Sequence, residues 1–172
     1  MTAVELSAAE QIFSNALFTI AVLDARRIVY LVRTSTPFGS SGDIERGCEP
    51  VQRQLDQLGR AGRRLLVDTR QAVGNNNPTF EANFGAQRKR MADGFERVVL
   101  LTQTIIGKMH NERLVQQDRV VGPRVFIDPS EALVYLRDRS PRPSRPSVSD
   151  MMPVRPVETT TTPSPNKPTR KP

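Results

Sequence analysis

Few residues in this 172-residue chain combine a reactive type with a useful spacing. Asp68 closes the apolar run Leu65-Leu66-Val67. A carboxylate at a strand end either binds a ligand or partner, or accepts hydrogen bonds from the amides of the following loop, which is the commoner use. The loop beyond it, Gly74-Asn75-Asn76-Asn77, has neither the lysine nor the spacing of a phosphate-cradling P-loop and reads as a plain turn. His110 is the sole histidine, and no Cys or second His is spaced to share a metal with it. Between Met109 and Asn111 on a predicted helix, it reads as a surface or boundary residue. Cys48 is the sole cysteine, so no intrachain disulfide can form, and a reducing compartment fits. It falls on an apolar helical stripe and reads as small core packing. Nothing in the sequence supports a Ser/His/Asp or Cys/His catalytic set. The expectation is no catalytic residue, no metal site and no cofactor. The chain reads as a module that binds, not as an enzyme.

The elements that position these residues follow from periodicity. Ser7-Ala8-Ala9-Glu10 has the spacing of a capping box, inside a lead-in over residues 1–14. Two β-rich runs, 17–23 and 27–34, flank Asp24-Ala25-Arg26-Arg27, which reads as a tight antiparallel turn. In the second run Ile28, Tyr30 and Val32 alternate with Val29, Leu31 and Arg33, so both faces are mostly apolar, as inside a sheet. Ile44, Cys48, Val51, Leu55 and Leu58 then fall at helical spacing. Pro50 predicts that this helix starts late or kinks, and Gly59 and Gly62 are its candidate stops. After the strand Leu65–Asp68, Asn77-Pro78 pairs an N-cap with a proline that has no amide to lose. It opens a helix striped by Phe80, Phe84, Met91 and Phe95, with Gly94 as a candidate cap. A strand over 97–102, a helix carrying Ile105, Ile106, Met109 and Leu114 to about Gln117, and a strand over 124–127 complete the alternation. Asp128-Pro129-Ser130-Glu131 is a strong start signal for a last helix over 132–137. The order β-β-α-β-α-β-α-β-α means parallel crossover units with one antiparallel member. The predicted fold class is α/β: a mixed sheet with an N-terminal antiparallel hairpin, parallel crossovers, about four helices and a disordered C-terminal tail.

Composition divides the chain. Nine of the 14 prolines lie in residues 140–172, which have almost no apolar side chains. A folded domain is therefore expected over 15–139 and a Pro-rich, basic, disordered tail over 140–172. The tail holds six basic side chains against Asp150 and Glu158, so it contributes more than half of the net charge of +7. The sequence pI of 10.5 thus overstates any affinity of the folded part for nucleic acid. Aromatics make up 5% of the chain and tryptophan is missing, so a base-stacking platform is not expected. The run Ala16–Val32 is broken by Asp24, Arg26 and Arg27 and is too short on either side to span a bilayer. The N-terminus lacks a secretion signal's pattern, and the cytoplasm is the expected location.

Three segments carry a family likeness: Arg-Arg-Leu-Leu-Val-Asp-Thr-Arg (63–70), Phe-Glu-Arg-Val-Val-Leu-Leu (95–101) and Arg-Val-Phe-Ile-Asp-Pro-Ser-Glu-Ala-Leu-Val-Tyr-Leu (124–136). With the element order, they resemble the STAS fold, and in particular the SpoIIAA-like (STAS-like) family of bacterial regulatory domains, over about residues 15–138. In the anti-sigma-factor antagonists of that fold, a strand ending in Asp leads through a loop to a phosphorylatable Ser at a helix start, where a kinase switches partner binding. Asp68 matches the strand-end acid. The corresponding helix start, Asn75-Asn76-Asn77-Pro78, has no Ser, and Thr79 is the nearest hydroxyl. The resemblance implies partner binding at this edge without the usual phosphoswitch.

Ligand sites in open α/β sheets lie where strand C-ends meet helix N-ends, which makes 63–78 the expected functional edge. The expected function is a non-enzymatic regulatory or scaffolding module acting by protein–protein interaction. Its partner-binding candidates are Asp68, Arg70, Asn76, Asn77, Thr79, Arg88 and Lys89, and a homo-oligomer is compatible with it. One alternative is a small-ligand or lipid-binding domain, which requires an apolar cavity near Phe80, Phe84 and Ile105. Another is binding of nucleic acid or an acidic partner through Arg88-Lys89-Arg90 and the tail, with nucleic acid the less expected of the two. The tail's apolar island, Met151, Met152, Val154 and Val157, lies among PxxP spacings and is the candidate for docking on a partner.

Overall fold

The computed structural model describes residues 9–75, 77–117 and 123–140. The elements run β1 (Glu10–Ser14), β2 (Phe18–Leu23), β3 (Ile28–Arg33), α1 (Ser41–Leu58), β4 (Arg64–Asp68), α2 (Pro78–Ala92), β5 (Arg97–Leu101), α3 (Ile105–Gln117), β6 (Arg124–Phe126) and α4 (Pro129–Arg137). The strands form one mixed sheet in sequence order. β1, β2 and β3 are an antiparallel meander, and β3 to β6 pair in parallel. The α/β class, the opening hairpin and the parallel crossovers are those the sequence predicts. The chain divides after Asp138.

Sequential order decides where the helices go. Right-handed crossovers that always step to the next neighbour carry their helices over the same face. There α1, through Ile44, Cys48, Val51 and Leu55, and α2, through Met91, pack on Phe18, Leu31, Leu65 and Val98. The last helix follows the last strand and covers the opposite face, where Ala132, Leu133 and Leu136 pack on Tyr30, Leu66, Val99 and Leu101. Because side chains alternate along a strand, Leu65 and Val67 belong to the first face and Leu66 and Asp68 to the second.

Three expectations need correction. Residues 10–14 are not a lead-in: they form β1, with Glu10 opposite Val22 and Ser14 opposite Thr19. Ile12 and Phe13 pack against the core, which ties this short strand to the sheet edge. Glu10 therefore belongs to a strand and not to a capping box, and Ser7 lies outside the described residues. The helix with Pro50 does not start late. Ser40 caps it by accepting from the Asp43 amide at 3.3 Å, and it runs through the proline. An interior proline costs roughly 3 kcal/mol. Ile44 and Cys48, both before Pro50, are 1% and 0% exposed, and burying such side chains returns about 1.5–3 kcal/mol for the larger one alone. Burial of the whole first half of the helix outweighs the lost hydrogen bond. Finally, the helix after Thr104 forms as expected, but Ile105, Ile106 and Met109 are 69%, 80% and 66% exposed. Leu114 alone of its four predicted apolar markers is buried.

The turn at Asp24 is as tight as predicted, with an unexpected backbone. Asp24, Ala25 and Arg26 have φ of 50°, 53° and 67°, the left-handed region that non-glycine residues visit at a cost. Arg137 of α4 holds the Asp24 carboxylate through Nε at 2.7 Å and Nη2 at 2.8 Å.

Candidate functional site

Asp68 ends β4 on the α4 face and is 4% exposed. Its carboxylate accepts from the Tyr30 hydroxyl at 2.7 Å, from the Arg70 amide at 3.0 Å, and from Arg70 Nε at 3.0 Å and Nη2 at 2.7 Å. Burial pushes this carboxyl up, but the bonds from Arg70 and Tyr30 outweigh it and hold the group below the usual carboxylate value. Burial first, and then the hydrogen bond to Asp68 and its negative charge, raise the Tyr30 hydroxyl well above its ordinary value against the opposing charge of Arg70. The ordinary use of a strand-end acid holds: Asp68 closes the loop over itself. Its lone pairs are spent inside the protein.

The remaining partner candidates do not gather around it. Asn77 caps α2, its Oδ1 accepting from the Thr79 amide at 2.9 Å and the Phe80 amide at 3.3 Å. Thr79 is exposed on the first turn of α2, and Asn76 lies outside the described residues, as do Met151, Met152, Val154 and Val157. Arg88 stacks its guanidinium 5.3 Å from the centroid of Phe84. Lys89 is exposed in the last turn of α2, where a cation suits the negative end of the helix dipole. Parity of the strand puts Asp68 with α4, whereas Asn77, Thr79, Arg88 and Lys89 ride on or cap α2 across the sheet. The expected single edge is thus two places. A sequentially ordered sheet has no point where strand order reverses, so the crevice rule for doubly wound sheets has no foothold here.

What the crossover face does contain is a cavity of about 260 Å³. Its floor is Leu31 of β3, Leu65 and Val67 of β4, and Val98 and Leu100 of β5; its walls are Phe80, Phe84 and Met91 of α2 with Gly107 and Leu114 of α3. Phe38, Phe80 and Phe84 form an aromatic group at one side, with centroids 5.2–5.6 Å apart. Ile105, expected at such a cavity, faces outward instead. The helices that bound the space are pinned by Glu81 of α2, whose carboxylate lies 3.4 Å from His110 Nε2 and 3.8 Å from Arg113 Nη2 of α3. His110 is half-buried, the boundary residue the sequence suggests.

One cavity residue escapes a sequence reading that looks for motifs. Arg33 ends β3 on the crossover face and is 5% exposed. Its Nη1 donates to the carbonyls of Leu17 and Thr34, both at 3.0 Å, and its Nη2 to the carbonyl of Thr36. The guanidinium lies 4.3 Å from the Phe38 centroid and 5.3 Å from that of Phe18. Burial lowers its pKa from the ordinary arginine value. The signal was a lone cation continuing the apolar stripe Val29-Leu31. Cys48, nearby in the core, is fully buried, and burial pushes its thiol up to about 12. It is unsuited to nucleophilic or metal chemistry. Among the described residues no group of three His, Cys, Asp or Glu could hold a metal ion, and no helix is long and apolar enough to cross a membrane.

No family model matches this chain, and no curated protein does. Among solved structures it is similar to an uncharacterized protein of the DUF3478 family from Shewanella loihica PV-4, described as having a SpoIIAA-like fold. The identity is 14% and the TM-score 0.49, over 73% of this chain and 98% of that one.

Proposed function

We propose that this chain is a non-enzymatic binding domain that takes a small, largely apolar molecule into the cavity between its sheet and the helices α2 and α3. The cavity carries this reading. At about 260 Å³ it lies near the small end of ligand sites, which run from roughly 300 Å³ upward. It is mostly apolar, and apolar hollows of about half that size take up small apolar molecules. Two groups that could do acid–base or nucleophilic work are engaged away from the cavity: Asp68 is held by Arg70 and Tyr30 on the other face of the sheet, and Cys48 is buried in the core. The test is the fluorescence of N-phenyl-1-naphthylamine, a neutral apolar dye, added to the full chain. Saturable enhancement that octanol displaces is expected, as is its loss in Val67→Phe, which fills the floor. A folded wild type that leaves the dye's emission unchanged would overturn the proposal.

A second reading, a regulatory or scaffolding role through protein contact, is favoured by the exposed cluster Ile105, Ile106 and Met109 on the first turns of α3. Contiguous exposed apolar patches mark protein–protein or ligand contact sites when they are large. The contact surface would then be α3 rather than the Asp68–Thr79 stretch. Pull-down of a stoichiometric partner should be abolished by Ile106→Glu and spared by Val67→Phe; the reverse pattern removes this reading.

A further inference from the structure

We propose that the ligand of this cavity is an anion, an apolar chain ending in a carboxylate or similar acidic head, and that Arg33 supplies the countercharge. This rests on the cavity being a binding site. Taking a guanidinium out of water costs several kcal/mol unless an opposite charge and hydrogen bonds compensate. Three other arginines with buried or part-buried side chains among the described residues observe that rule. Arg97, as deeply buried as Arg33, meets Asp138 at 3.2 Å. Arg70 meets Asp68 at 2.7 Å and Arg64 meets Glu96 at 3.3 Å. Arg33 is the exception. Its acceptors are the carbonyls of Leu17, Thr34 and Thr36 and the Thr34 hydroxyl, all neutral. The faces of Phe18 and Phe38 add cation–π attraction without adding negative charge. No carboxylate of the described residues comes within ion-pair distance of it.

The neighbours of this cation fit the same reading. The thiol of Cys48 is neutral, so it does not balance Arg33. Glu81, the carboxylate that lines the cavity, is engaged by His110 and Arg113 on the α3 side. Arg88 is a second basic residue on the wall. The result is an apolar chamber with fixed positive charge at the β3 end, where the low dielectric strengthens an ion pair and Arg geometry suits a carboxylate. A neutral ligand would leave that charge as uncompensated as it is now.

The test compares octanoate with 1-octanol, which share chain length and differ in head group, by calorimetry on the full chain at fixed salt and neutral pH. Octanoate is expected to bind at least ten-fold more tightly to the wild type. Arg33→Gln should bring octanoate down to the octanol level and leave octanol unchanged, and Arg88→Gln should keep most of the preference. Equal binding of the two by the wild type overturns the anionic ligand and leaves the cavity reading standing. Binding of neither overturns the cavity reading itself. A preference that survives Arg33→Gln, or that vanishes in Arg88→Gln, overturns the assignment to Arg33. Should Arg33→Gln not fold, the wild-type ratio and the Arg88→Gln result still decide.

Discussion

The two faces of β4 and β5 are built from alternate residues of the same ten-residue stock, yet they do different jobs. On one face Leu66, Val99 and Leu101 meet Ala132, Leu133 and Leu136, each fully buried. On the other, Val67 and Leu100 look into a cavity and are only half-buried. The filled face receives one short helix whose apolar stripe is matched to the strands beneath it. The crossover face must accommodate three helices, and α3 keeps most of its apolar residues outside. A face that is packed to density stores stability, whereas a face left hollow gives up dispersion contacts and keeps room for something else. The division of labour also explains Asp68: it sits on the packed side, and its hydrogen bonds belong to that side's stability.

Truncation should show the difference most strongly. Leu133→Ala empties a close-packed site and should cost about 2–5 kcal/mol, read from the urea midpoint at unchanged slope. Leu100→Ala on the cavity side removes contacts that are already incomplete and should cost about half as much or less. Equal costs would mean that the two faces are equally packed, and the comparison would fail. Dye binding should be weakened by Leu100→Ala and left intact, in folded protein, by Leu133→Ala.

The Asp68 corner gives a smaller effect with a pH signature. Asp68→Asn leaves Tyr30 and Arg70 facing a neutral amide and should cost about 1–3 kcal/mol at neutral pH. Because the folded carboxyl titrates below its unfolded value of about 3.9, its contribution is complete above that pH and is lost as pH falls from there through the lower folded value. Wild type and Asp68→Asn should therefore converge in stability on acidification. A gap that stays constant down to pH 3 would show that the charge of Asp68 contributes nothing. Ligand binding in the cavity should not respond to this substitution, since the side chain lies across the sheet.

How much of this was legible in the chain depends on whether the cause was local. Asn77-Pro78 and Asp128-Pro129 announce helix starts because capping is settled within four residues, and both caps form as read. β1 gives little local signal: Gln11-Ile12-Phe13 is too short to show a period, and its strand state comes from pairing with β2. The split of Asp68 from α2 was available in principle from the parity of Leu65-Leu66-Val67-Asp68, but only once the side on which α4 lands is known. The cavity itself has no local signature. Phe80 and Phe84 look the same in sequence whether they fill a core or line a hollow, and the distinction is made by where α3 comes to rest. Arg33 was the clearest missed clue, a charge in register with Val29 and Leu31.

The smallest predicted effect acts on neither face and so serves as the control for both. Asp24, Ala25 and Arg26 all occupy left-handed backbone, at about 1–2 kcal/mol each for a residue with a Cβ. Asp24 has a reason to be there, since its carboxylate holds Arg137 and with it the end of α4. Ala25 is exposed and makes no such contact, so its methyl group brings strain without return. Ala25→Gly relieves that strain and gives back part of the gain through the added freedom of the unfolded chain. A net rise in stability of about 0.5–1 kcal/mol is expected, with the affinity for octanoate unchanged. Because the hairpin joins β2 to β3 under both helix layers, the rise should be the same in the Leu133→Ala and Leu100→Ala backgrounds. Different increments would mean that the turn is coupled to one face, and α4, tethered through Arg137, is the side on which that coupling should first be sought.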